Sequence, residues 1–182
     1  MNEDQFWQII QTAKQSAIDD DQQLELIAAA LHGFEPDDIL EFQRVFNRLH
    51  KASYRADLWG AAYIINGGAS DDGFDYFRGW LIAQGREVFT AALEQPDSLD
   101  ELFTNELQAD FGCELEGMLG VAGGVWRERT GLGWDEFDAA EGKQSHEPTD
   151  VGDFSKWSDG NGDCDASKCQ VVYPRLWARF GG

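Results

Sequence analysis

A chain of 182 residues is long enough for one domain with a well-buried core and short of two ordinary domains. Hydrophobic residues make up 42% and aromatics 13%, more than a disordered acidic chain carries, so a folded globule is expected. The 34 acidic against 14 basic side chains give a formal charge of -20. That excess repels phosphate backbones and argues against nucleic acid as a partner. It suits a simply soluble protein, or one that meets a basic protein or mimics nucleic acid in a basic groove.

The first residues, MNEDQFWQII, lack the basic start and long apolar core of a signal peptide. No run approaches the roughly 18 apolar residues that span a bilayer. There is no lipidation signal. Three cysteines without a paired pattern fit a reducing compartment, and the expected location is cytoplasmic, with no membrane partner.

Taken in order, residues 5–18 place Phe6, Ile9, Ile10 and Ala13 on one helical face. The run Asp19-Asp20-Asp21 ends that helix and caps a second, which carries Leu24, Ile27 and Leu31 and stops near Gly33. Pro36 suits the first turn of a long third helix with Ile39, Phe42, Val45, Phe46, Leu49 and Ala52 inward. Leu58 to Ile65 reads as a fourth helix, halted by Asn66-Gly67-Gly68. Ser70 caps a fifth whose first turn holds Asp71 and Asp72. A short helix follows at 87–93, then a Pro96 turn, and Ser98-Leu-Asp-Glu101 reads as a capping box for another. Cys113 to Arg129 reads as a helix, with Gly117, Gly120 and Gly124 along one side. Each glycine costs about 1 kcal/mol relative to Ala, so either a neighbouring helix or a ligand approaches closely there.

After Gly133 the composition changes. Residues 135–165 contain ten acidic and two basic side chains and read as a loosely ordered segment. Gln170–Tyr173 reads as a short extended piece, and Pro174 opens a short helix that docks on the body. The predicted fold is all-α, a single compact multi-helix domain: a helical core over 1–133, an acidic loop over 134–168, and a C-terminal segment over 169–182.

No Walker A loop, G-x-G-x-x-G, H-E-x-x-H or G-x-S-x-G is present, so no catalytic residue and no cofactor is assigned. His32, His50 and His146 are isolated and read as surface or helix-end residues. Asp159-Gly-Asn161-Gly-Asp163-Cys164-Asp165 has the alternating oxygens of a calcium loop. However, Cys164 stands where glycine belongs and Gln170 where a glutamate belongs, so it reads as a solvated turn. Cys164 and Cys169 read as two inert thiols, since no second pair stands at zinc spacing. Metal ligands are therefore expected to be none.

Two clusters are candidates for binding. Arg44, Arg48, Lys51 and Arg55 fall within about 60° of one another on a helix, which makes them either an anion or partner stripe or partners of the protein's own carboxylates. The stretch from Trp59 to Gly85, WGAAYIINGGASDDGFDYFRGWLIAQG, gathers Asn66, Asp71, Asp72, Asp75, Tyr76 and Arg78 around one end of a helix pair. Asp75 and Arg78, at i and i+3, can pair. The three carboxylates could hold a divalent cation or a cationic ligand, or they could be caps that complement the helix dipole. Tyr63, Tyr76 and Trp80 could wall a pocket between the fourth and fifth helices or pack as core.

The same stretch, extended as WGAAYIINGGASDDGFDYFRGWLIAQGREVF, together with FWQII, GFEPDDILEFQRVFNRL and the terminal YPRLWARF, resembles the bacterial domain of unknown function 4240 family. The likeness runs from about Phe6 to Arg129, and residues 140–170 depart from it. The resemblance implies an all-helical bacterial cytoplasmic protein and supplies no reaction or catalytic residue. Two functions are therefore expected in competition. One is a non-catalytic acidic interaction or regulatory, immunity-like module that binds a basic protein partner. The other is a small-molecule- or metal-binding protein or hydrolase with its pocket around Asn66–Arg78.

Overall fold

The computed structural model describes residues 1–103, 112–142 and 151–181, and folds them as helices without a β-strand among them. Ten α-helices run in order: α1 Glu3–Ser16, α2 Asp20–Leu31, α3 Pro36–Ala52, α4 Ala56–Asn66, α5 Asp71–Ala83, α6 Arg86–Glu94, α7 Gly117–Thr130, α8 Trp134–Glu141, α9 Ala166–Val172 and α10 Pro174–Phe180. Their ends follow local chemistry. Asn2, Asp19 and Ser70 accept the backbone N–H groups left open at the starts of α1, α2 and α5. Gly67 ends α4 in the left-handed region at φ 69°, which the absence of a Cβ allows.

Helix α3 is the centre of the molecule and lies against α1, α5, α7 and α8. Of the face expected inward from its spacing, Ile39, Phe42, Val45, Phe46 and Leu49 are buried, while Ala52, the last residue of the helix, is exposed. Phe6 and Ile10 of α1, Phe74 and Phe77 of α5, and Met118 and Val125 of α7 complete the core around it. Each fully buried side chain of this size contributes roughly 2 kcal/mol relative to exposure.

The C-terminal residues form a second layer on α4. Trp157 and Tyr173 are buried, and each reaches the first turn of α4 through a polar tip: Trp157 Nε1 donates to Ala56 O at 2.7 Å, and Tyr173 Oη to Asp57 O at 2.7 Å. Gly60 makes room for both. A Cβ there would run into Tyr173 Oη and lie 2.8 Å from Trp157 Cγ. Asp97, itself buried, accepts the backbone N–H groups of Arg175 at 3.1 Å and Leu176 at 3.0 Å and so caps α10.

Several sequence expectations change. Helix α7 begins at Gly117 rather than Cys113, because Leu115 N donates to Tyr76 O of α5 instead of to a helical ladder. Residues 96–102 form a tight 3-10 turn, so the capping box expected at Ser98 does not start an α-helix there; residues 104–111 lie outside the described residues. Gln170–Tyr173 is not extended, since most of it lies in α9, capped by Asp165. The acidic segment is more ordered than its composition suggested. Its described parts include α8 and a chain at 151–165 that is tied to the body, with Ala56 N donating to Val151 O at 2.5 Å.

Candidate functional site

Ser70 Oγ accepts Gly73 N at 3.1 Å and sets the start of α5, so Asp71 and Asp72 stand exposed in its first turn while Asp75 and Arg78 turn toward α3. Arg78 is only 3% exposed. Its guanidinium lies over the Tyr54 ring at 4.7 Å and the Phe74 ring at 5.1 Å, a placement that favours a planar, weakly hydrated cation. Nη2 pairs with Asp75, and Nη1 donates to His50 O at 2.6 Å. Burial pulls the Arg78 pKa below the ordinary arginine range, while the Asp75 charge opposes the shift.

The same guanidinium sets the state of His50. Nη1 stands 3.1 Å from His50 Nδ1 and can only donate, so Nδ1 accepts. The ring proton then sits on Nε2, which donates to Asp75 O at 3.1 Å. Both ring nitrogens are engaged by one neutral tautomer.

These residues form the floor of a half-open cleft of about 380 Å³ between α3, α5, α7 and α8. Phe46, Asn47 and Lys51 line it from α3, Tyr54 from the turn after α3, Leu119 from α7, and Trp134, Phe137, Asp138 and Glu141 from α8. Gly123 on α7 lets the α8 wall approach. A Cβ there would run into Trp134 and lie 3.1 Å from Phe137 Cε1. The far end of α8 is held by α3: Arg44 donates to Glu141 O at 2.8 Å and Ala140 O at 2.7 Å, and Asn47 Nδ2 donates to Glu141 Oε1 at 2.9 Å. Cationic donors on the last carbonyls of a helix complement its dipole. Asp75 and Leu119 also border a wider, open groove with Asp72, Tyr76, Glu116, Gly117 and Gly120, so cleft and groove are continuous. The Glu116 charge beside it, with Asp72 and Asp75 nearby, raises the Tyr76 phenol above its ordinary pKa.

Of the candidate cluster, the structure brings Asp75 and Arg78 into the cleft and Asp72 and Tyr76 into the groove. Asp71 lines neither, and Asn66 faces elsewhere: its Oδ1 accepts Cys113 N at 2.8 Å and ties down the chain before α7. The cleft lies between α3 and α5, and between α4 and α5 Trp59 stacks on Phe74 at 4.5 Å. Trp80 is core, and Tyr63 donates to Asp163 at 2.8 Å.

The basic residues do not form one stripe. Helix α3 ends at Ala52, so Arg55 lies beyond it and bonds to Asp57 and Leu93 O. Arg48 pairs with Glu3 at 2.8 Å, Arg44 holds α8, and Lys51 lines the cleft. His50, read as a surface or helix-end residue, stands in the last turn of α3 and also belongs to the cleft floor, and Trp134 and Phe137 were not foreseen. The sequence carries only a faint signal for them: Phe46 and His50 share a face at i and i+4, and their rings stack at 5.3 Å. Among the α7 glycines, the close approach falls on Gly123 and, against Leu24, on Gly117, while Gly124 is open.

The calcium-like loop uses its carboxylates locally. Asp159 accepts Asn161 N at 2.7 Å, Asp163 accepts Tyr63, and Asp165 caps α9. Among the described residues, no group of three or more His, Cys, Asp or Glu side chains is placed to hold a metal ion. Cys164 and Cys169, read as inert thiols, are joined as a disulfide, because the turn before α9 brings residues five apart in sequence together. Burial pushes the remaining thiol, Cys113, up to about 12. No described helix is long and apolar enough to cross a membrane.

No curated protein and no solved structure matches the chain. A family model does match, over residues 1–128, which include the cleft floor at His50, Asp75 and Arg78 but not the wall from Trp134 to Glu141. The chain belongs to the family described as Protein of unknown function (DUF4240).

Proposed function

We propose that the protein is a non-catalytic acidic interaction module of regulatory, immunity-like type, and that it takes a basic segment of a protein partner along the cleft and the groove that meet at Asp75. The observation that carries this reading is the continuity of a concave surface bearing Asp72, Asp75, Glu116 and Asp138 with exposed aromatic area at Trp134, which is 46% exposed. Carboxylates along a groove with an aromatic wall match a strand or helix of lysines and arginines, whose stems lie on apolar surface while their heads reach acids. The engaged, neutral His50 and the paired Asp75 and Arg78 favour binding over catalysis.

The test is retention of a partner on the immobilised full-length protein at low and high salt, beside an Asp72→Asn/Glu116→Gln/Asp138→Asn variant. The expected result is a partner held at low salt, released at high salt, and lost by the variant. Equal retention by the variant, or no salt-sensitive partner at all, rejects the reading. A second reading rests on the cleft alone: about 380 Å³ lies within the usual range for a small-molecule site. Under it, a metabolite raises the melting temperature of the wild type and not of a Trp134→Ala variant.

A further inference from the structure

The disulfide between Cys164 and Cys169 ties the turn at 159–164 to α9, across the aspartate that caps that helix. Hydrogen bonds already hold both feet of the turn. Asp165 N donates to Trp157 O at 2.9 Å, Asp165 Oδ1 accepts Ser167 N at 3.0 Å, and Lys168 Nζ donates to Ser158 O at 2.6 Å. Trp157 in turn is bonded to Ala56 O of α4. A bridge between residues five apart also removes little freedom from the unfolded chain. The fold of this layer therefore does not depend on the S–S bond.

The two sulfurs differ in access. Cys169 is fully buried, whereas Cys164 is half-buried at the end of the exposed run from Asp159 to Asp163. A thiolate from solvent reaches Cys164 Sγ and not its partner. Cys169 Sγ lies 3.4 Å from Trp157 O, so a thiol formed there finds its acceptor in place. Both redox states fit one fold. We infer that the pair is a redox clasp, opened by a dithiol and closed by that dithiol's disulfide form, which controls the turn lying over α4. A thiolate of the dithiol attacks Cys164 Sγ, the S–S bond breaks, and Cys169 leaves as a thiolate that takes a proton. The second thiol then attacks the mixed disulfide, which releases Cys164 as a thiol and the dithiol as its own disulfide. Once open, the turn is tied to α4 by the solvent-exposed bond from Tyr63 to Asp163 at 2.8 Å, for which water competes. The clasp uses none of the cleft residues and is independent of the partner-binding reading.

The test uses the full chain in native buffer over graded ratios of reduced to oxidised dithiothreitol, with alkylation and peptide mass analysis at Cys164 and Cys169. The expected result is reversible opening without denaturant and a cooperative melt in both states. Amide hydrogen exchange at 159–164 should be faster by about tenfold or more in the reduced state. A Cys164→Ser variant should exchange as the reduced wild type does at every ratio. A disulfide that opens only in denaturant, or a reduced chain that no longer melts cooperatively, overturns the inference. So do equal exchange at 159–164 in the two states and thiols that stay reduced at every ratio. The comparison of the two wild-type states decides the matter whether or not the variant folds.

Discussion

Arg78 shows how one side chain organises a site. Its guanidinium lies over Tyr54 and Phe74, pairs with Asp75, and selects the tautomer of His50. Removing it leaves the His50 carbonyl and ring nitrogen without their donor and Asp75 without its cation, while the apolar surroundings accept a side chain of similar length. Arg78→Met should therefore cost about 2–3 kcal/mol, read as a lower midpoint of urea denaturation, and Arg78→Lys should recover only part of it, because an ammonium lacks the planar fork. A midpoint unchanged in Arg78→Met would mean that the network contributes nothing. The i, i+3 pairing with Asp75 was legible from spacing alone. The contacts to His50 and Tyr54 were not, because they join residues that only the packing of α5 on α3 brings together.

At the scale of elements, the cleft is made by the approach of α8 to α7. Glycines on α7 were legible as a place where something comes close, yet periodicity could not say which glycine or what neighbour. Gly123 meets Trp134 and Phe137 because α8 follows after a short turn and folds back on the same helix. Gly123→Val should displace Trp134 and cost about 1–3 kcal/mol through overpacking. The expected outcome is a lower denaturation midpoint together with a change in near-ultraviolet circular dichroism. Loss of the second signal without the first would place the effect on the wall alone. Arg44 was read with a possible anion stripe, and its actual role, holding the carbonyl end of α8, depends on a contact across 97 positions of sequence.

At the scale of the molecule, the C-terminal layer is fastened by turns whose aspartates accept local donors. Hydrogen bonds from the Ser155 hydroxyl to Asp153, from Asn161 N to Asp159, and from the Ser167 hydroxyl to Asp165 hold all three carboxyls below the ordinary aspartate range. A folded-state pKa below the unfolded one stabilises fully above the ordinary value near about 4 and is lost as pH falls through the depressed values. The midpoint of urea denaturation should therefore drop between about pH 6 and about pH 3. It should drop less in an Asp153→Asn/Asp159→Asn/Asp165→Asn variant, whose amides keep the turn geometry and do not titrate. Equal pH dependence in the two proteins would remove these turns from the account.

Across these scales the chain's own chemistry decided the helices from α1 to α6 and most of their core face, because helix periodicity and end-capping act within four residues, whereas α8 and α9 stand where composition read a loop and an extended piece. The long α3, the Ser70 start of α5 and the Gly67 stop of α4 stand where spacing puts them. The family was legible too, in the run from Trp59 onward. Tertiary structure alone decided where the hollow lies. It set the cleft on the α3–α5 face, which Trp134 and Phe137 wall, and stacked Trp59 on Phe74 between α4 and α5. It also dispersed the four cations and turned Asn66 away. Helical spacing places a residue on one face of its own helix, and only packing determines what that face meets.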